Sequence, residues 1–126
     1  MSIRYLWHGT NGDNILGIIR SGEMKPDAQN EIYVCDFEYD RRNLYSHGGD
    51  SRRKAAFVIK VEATIPSDVT QYRKPTPGVP NTLVLVTSNP VAVRVLEMYV
   101  RKPGLSGFEE RGPIKGSIEI TKYLSQ

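Results

Sequence analysis

Apolar and polar positions alternate along several stretches of the chain, and that alternation predicts strands. It is clearest over residues 55–64, where Phe57, Ile59, Val61 and Ala63 fall on one side and Lys60 and Glu62 on the other. This is the pattern of a strand with one wet face. Residues 3–7 and 31–35 read as short strands from their β-branched and aromatic content. Residues 82–87 are apolar on both faces, which predicts a central strand, and Pro90 ends it. Val91, Val93 and Val95 then share one side of a strand over 91–101, and residues 117–124 read as a last strand.

Two segments carry helical spacing instead. Ile15, Leu16, Ile18 and Ile19 form an apolar stripe, Asp13 is a suitable N-cap, and Gly22 is a natural stop. Asp40 caps a second short helix that carries Leu44 and Tyr45. Residues 47–51, 71–80 and 103–116 are dense in glycine, proline or small polar residues and read as loops. The prediction is a single α+β domain over residues 1–126, with about six strands around a largely β core and two short helices.

Composition narrows the class. Of 126 residues, 39% are hydrophobic and 25% charged, which is a globular balance. No apolar run is long enough to span a bilayer, and the first residues lack a basic-then-apolar leader, so a cytoplasmic protein without membrane contact is expected. One cysteine, Cys35, leaves no internal disulfide and no cysteine-based zinc cluster. With only His8 and His47 besides, no metal is expected. The net charge of +3 permits a phosphate-rich ligand or a nucleic acid without demanding one. Arg41-Arg42 and Arg52-Arg53-Lys54 are the densest basic spots, and solvated loops are the simplest account of them.

Chemistry has three candidate seats. Trp7-His8-Gly9-Thr10 closes a strand with an imidazole beside a glycine that lets a ligand approach the backbone, and a hydroxyl follows. In 31–35, Tyr33 and Cys35 share the strand face opposite Ile32 and Val34, so Tyr33 can offer its ring to a cleft. Tyr45, with His47 beyond it, could close the other side. Each alone is also what an ordinary turn or core tyrosine looks like. Their order is more specific.

Reading His8-Gly9-Thr10, then residues 14–22, then 31–36, then Tyr45-Ser46-His47, the chain resembles the ADP-ribosyltransferase superfamily, in the diphtheria-toxin-like branch that includes poly(ADP-ribose) polymerase catalytic domains. That family has a Leu-Trp-His-Gly-Ser/Thr strand end, an Ile-Leu-x-x-Gly helix and an Ile-Tyr-Phe strand. Here the counterparts are Leu6 to Thr10, Ile18 to Gly22, and Ile32 to Val34. The likeness covers residues 3–64 and runs more loosely to about 101. It implies a split β-sheet core and a glycosyltransferase-class reaction with NAD as co-substrate and no metal. It implies that His8, Gly9 and Thr10 hold NAD, that Tyr33 stacks on the nicotinamide ring, and that Tyr45 covers the ring's other face. An aromatic wall suits a planar cation.

The family's third-motif glutamate would fall at Thr82, where there is no carboxylate. Its absence argues against chain elongation and leaves transfer of a single unit. Glu97, Glu109 and Glu110 are the alternative sources of a carboxylate. The tRNA 2′-phosphotransferases are also similar, through His-Gly-Thr and through Arg52-Arg53 ahead of an apolar strand, where the arginines would contact acceptor phosphates. The expectation is therefore a toxin- or effector-sized mono-ADP-ribosyltransferase acting on a protein side chain or on RNA or DNA. Such a role implies an inhibitor or antitoxin protein as a further partner. A degenerate NAD- or ADP-ribose-binding module, and an RNA 2′-phosphotransferase, are the alternatives.

Overall fold

The computed structural model of the chain describes residues 1–46, 56–75, 81–104 and 107–126. In chain order the elements are β1 (Ser2–Thr10), α1 (Gly12–Ser21), β2 (Glu23–Met24), β3 (Glu31–Val34), a 3₁₀ helix (Glu38–Ser46), β4 (Phe57–Ile65), β5 (Thr70–Arg73), β6 (Leu83–Val86), β7 (Val91–Gly104), β8 (Gly107–Lys115) and α2 (Ser117–Leu124). The chain is α+β, as expected, and all named strand pairs are antiparallel.

The strands form two sheets. One runs β1-β4-β7-β2, with β8 also on β7, and the other runs β3-β6-β5. Both β2 and β8 pair with β7, the first near its start at Val91 and Ala92 and the second from Glu97 onward. Among the described residues, one backbone bridge joins the sheets. There Trp7 N–H donates to the Cys35 carbonyl and Cys35 N–H to the Trp7 carbonyl, each at 2.9 Å.

The alternation in the sequence decides what is buried. Ile59, Val61, Ala63 and Ile65 of β4 enter one core with Leu6 of β1, Ile32 and Val34 of β3, and Leu83 and Leu85 of β6. Ile15 and Ile18 of α1 and Ile120 of α2 close that core. On the other side Trp7, Cys35, Leu44, Tyr45, Val58 and Tyr99 form a smaller cluster, to which the 3₁₀ helix contributes Leu44 and Tyr45.

Several expectations are corrected. The N-cap of α1 is Asn11, whose side-chain oxygen accepts from Asn14 N–H at 2.8 Å, rather than Asp13. Gly22 does end the helix, at φ 72°, where a side chain would be strained. The second short helix is a 3₁₀ helix over Glu38–Ser46, so it starts before Asp40 rather than after it. Thr70–Arg73, placed partly in a loop by the prolines that follow, is the edge strand β5. Within the stretch 103–116, expected as loop, Gly107–Lys115 is the strand β8 and pairs with β7. The segment from Ser117 is a helix, not a strand. Ile120 is buried and Tyr123 and Leu124 pack on the core, while Ile118 is 74% exposed, a helical rather than a two-residue period. Among the described residues, no helix is long and apolar enough to cross a membrane.

Candidate functional site

His8 and Tyr33 come together at the join between the sheets. His8 lies near the end of β1, one residue past the bridge, and Tyr33 lies two residues before it on β3. The His8 Nδ1 is 2.8 Å from the Tyr33 backbone carbonyl oxygen. A carbonyl only accepts, so Nδ1 carries the hydrogen, and in the neutral ring the lone pair sits on Nε2.

Gly9 has a packing reason for lacking a side chain. A Cβ there would lie 2.5 Å from the Leu44 carbonyl oxygen, because the 3₁₀ helix crosses β1 at that point. The space that a side chain would take at Gly9 is therefore filled by Leu44. The Thr10 hydroxyl accepts from Asn14 Nδ2 at 2.7 Å, tying the strand end to α1.

Tyr33 sits in a polar and aromatic cluster on one face of the three-stranded sheet. Register places Tyr33 opposite Val84 and Val84 opposite Tyr72, so all three point the same way. Glu31, two residues before Tyr33, shares that face. The Tyr33 hydroxyl donates to Glu31 Oε1 at 2.9 Å and accepts from Lys74 Nζ at 3.2 Å. The Tyr72 hydroxyl donates to the other Glu31 oxygen. The Lys74 ammonium also lies 5.5 Å from the centroid of the Tyr33 ring. The bonds from Tyr72 and then Tyr33 hold the Glu31 carboxyl below its usual range. The same contact with Glu31 pushes the Tyr72 hydroxyl up, and the bond to Tyr33 pushes the Lys74 ammonium up. Thr82 immediately precedes β6, is fully buried, and accepts at its carbonyl from Lys74 N–H at 3.0 Å. Asp36 bonds Arg4 at 2.6 Å and Arg73 at 2.6 and 2.7 Å.

The other candidate carboxylates lie elsewhere. Glu110 on β8 accepts from Arg41 at 2.8 and 3.1 Å and from the Tyr45 hydroxyl at 2.9 Å. The Arg41 guanidinium is 4.5 Å from the Tyr99 ring centroid, and the Tyr99 hydroxyl donates to Glu97 at 3.0 Å. Burial and the Glu97 contact push that hydroxyl up to about 12. Burial, reinforced by Glu110, pushes Tyr45 up further still. Tyr45 is 1% exposed and packs with Trp7, Leu44 and Tyr99, so its ring is a core element and not the open second wall that was expected. Glu109 is exposed and lies 3.8 Å from Arg111. His47, Arg52 and Arg53 lie outside the described residues. Among the described residues, no three His, Cys, Asp or Glu side chains converge in a way that could hold a metal ion.

Sequence reasoning missed Glu31, Tyr72, Lys74 and Asp36 as members of a site, and read Arg41 as a solvated basic spot. Glu31 had a local signal, since residues two apart on a strand share a face. The rest depend on pairings between distant segments. No family model, curated protein or solved structure matches this chain.

Proposed function

We propose that this chain is a mono-ADP-ribosyltransferase that moves ADP-ribose from NAD to a macromolecular acceptor. The observation that carries the reading is the 2.8 Å contact between His8 Nδ1 and the Tyr33 carbonyl. It sets the His-Gly-Thr strand end beside the Ile-Tyr-Val strand, so that two motifs far apart in sequence border one place. The split of the strands into two antiparallel sheets at that place supports the same reading.

In this reading His8 and Thr10 hold the nicotinamide ribose and carboxamide, and Tyr33 offers its ring to the departing nicotinamide. The C1′–N bond of NAD breaks, its electron pair leaves with nicotinamide, and an acceptor nucleophile forms the new bond to C1′ and loses its proton to solvent. The sugar passes through a state with oxocarbenium character. Thr82, uncharged and buried, fits transfer of one unit. The same observation favours, as a second reading, a module that binds NAD without turnover.

The test is purified protein with NAD and a cell lysate. Nicotinamide release with a labelled acceptor is expected, and nuclease or protease sensitivity of the label identifies the acceptor class. His8→Ala and Tyr33→Ala are each expected to abolish transfer with the far-ultraviolet spectrum intact, and undiminished turnover in both overturns the assignment. NAD bound without nicotinamide release selects the second reading. NAD-dependent loss of a 2′-phosphate from RNA selects a phosphotransferase.

A further inference from the structure

Breaking the bond to nicotinamide leaves positive charge on the ribose, and such charge is stabilised by a fixed negative group beside it. We infer that Glu31 supplies that group, an inference that rests on the transferase reading for its chemistry and on the Tyr33 cluster for its place. The carboxylates near the join differ in what holds them. Asp36 is bonded to two arginines, and Glu110 to Arg41, so an arginine already answers the charge of each. Glu97 is engaged with Tyr99 on β7, which β1 and β4 separate from the three-stranded sheet. Glu109 is exposed beside Arg111.

Glu31 differs in its place and in its hydrogen-bond donors. It shares a strand face with Tyr33, and its carboxylate is 2.9 Å from the Tyr33 hydroxyl. The donors that fix it are two neutral phenols, one on each oxygen, and these orient the group without cancelling its charge. Two phenols occupy about half of the lone-pair positions a carboxylate offers, which leaves room for a sugar hydroxyl. Lys74 donates to Tyr33, and it opposes a cation at this place. A negative group beside an aromatic ring suits a ligand that joins a planar cationic ring to a sugar, with the Lys74 ammonium, 5.5 Å from that ring's centroid, working against it.

The test is a binding measurement that needs no turnover. ADP-ribose is compared with an analogue in which a protonated pyrrolidine replaces the terminal ribose ring. Wild-type protein is expected to prefer the cationic analogue by about fivefold, the size of one exposed charge contact after solvent screening. Glu31→Gln, which keeps an acceptor for the phenols, is expected to erase that preference while leaving ADP-ribose affinity within about twofold. Lys74→Met is expected to enlarge it. A wild-type protein that binds the two ligands alike or binds neither overturns the inference, as does a full preference retained in Glu31→Gln. Where the preference is found and lost as expected but no nicotinamide is released, the transferase reading falls and Glu31 keeps its role as the charge-selecting group.

Discussion

Glu110 is the acceptor for two side chains at once, so replacing it should be costly. In Glu110→Leu the Tyr45 hydroxyl, on a residue 1% exposed, loses its 2.9 Å bond to the carboxylate. Losing a buried hydrogen bond to a charged group costs about 1.5–3 kcal/mol. Arg41 loses the same carboxylate, but its side chain is 24% exposed and can turn to solvent. It also keeps the Tyr99 ring and the Glu38 carbonyl, so its loss counts about 1 kcal/mol. The expected destabilisation is about 2–4 kcal/mol, or about 10 °C in Tm for a domain of this length. Urea denaturation followed by circular dichroism measures it. Tyr45→Phe removes one bond and keeps the ring, and should cost less than half as much. Arg41→Met combined with Glu110→Leu should cost less than the two separately, because no unpaired charge remains. A Glu110→Leu protein within about 0.5 kcal/mol of wild type would refute the claim that this carboxylate clamps the 3₁₀ helix to β8.

Three further outcomes follow from other parts of the fold. Gly9→Ala pushes a Cβ against main chain at Leu44 and should destabilise by about 1–3 kcal/mol in the same urea assay, whereas unchanged stability would show that the helix does not press on β1 there. Ile120→Ala should cost about 2–4 kcal/mol and Ile118→Ala almost nothing, while equal losses would deny the helical phase of α2. For Asp36, the Arg73 hydrogen bonds, aided by the charges of Arg73 and Arg4, hold the folded-state carboxyl below its ordinary value of 3.8. The stability it adds is therefore present above that value and lost as pH falls through the lower folded-state value. Wild type should exceed Asp36→Asn in stability at pH 7, with the gap closing on acidification below about pH 4, and a pH-independent gap would contradict the assignment.

What could be read from the sequence was what short range controls. The stripe Ile15 to Ile19 with Gly22 after it announces α1, the alternation through Lys60 and Glu62 announces β4, and the two-sided apolar run announces β6 as the middle strand of its sheet. What escaped was decided at long range. Thr70–Arg73 becomes a strand because β6 offers it an edge, despite Pro75 close by. The segment rich in glycine and proline after Pro103 becomes β8 because β7 is long enough to template it, with Arg101 opposite Glu110. In α2, Ile118 and Ile120 mimic alternation, and only Tyr123 and Leu124 show the longer period. The site divides the same way. Motif order was enough to bring His8 and Tyr33 together in thought, and Glu31 was within reach two residues away. Tyr45 could not be placed without Glu110, which lies far along the chain and reaches Tyr45 only through the β7–β8 hairpin.

The join between the sheets has a mechanical consequence. A continuous ladder resists shear because many hydrogen bonds must break together, whereas Trp7 and Cys35 exchange only one pair. The shared core, the packing of Trp7 on Cys35, the Arg4–Asp36 ion pair and the His8 bond to Tyr33 also hold the two halves together. The bridge lies beside the His8 imidazole and the Tyr33 main chain. Deuterium should enter the Trp7 and Cys35 amides sooner than those of the β1–β4 ladder, making these two positions a built-in gauge of how often the halves separate.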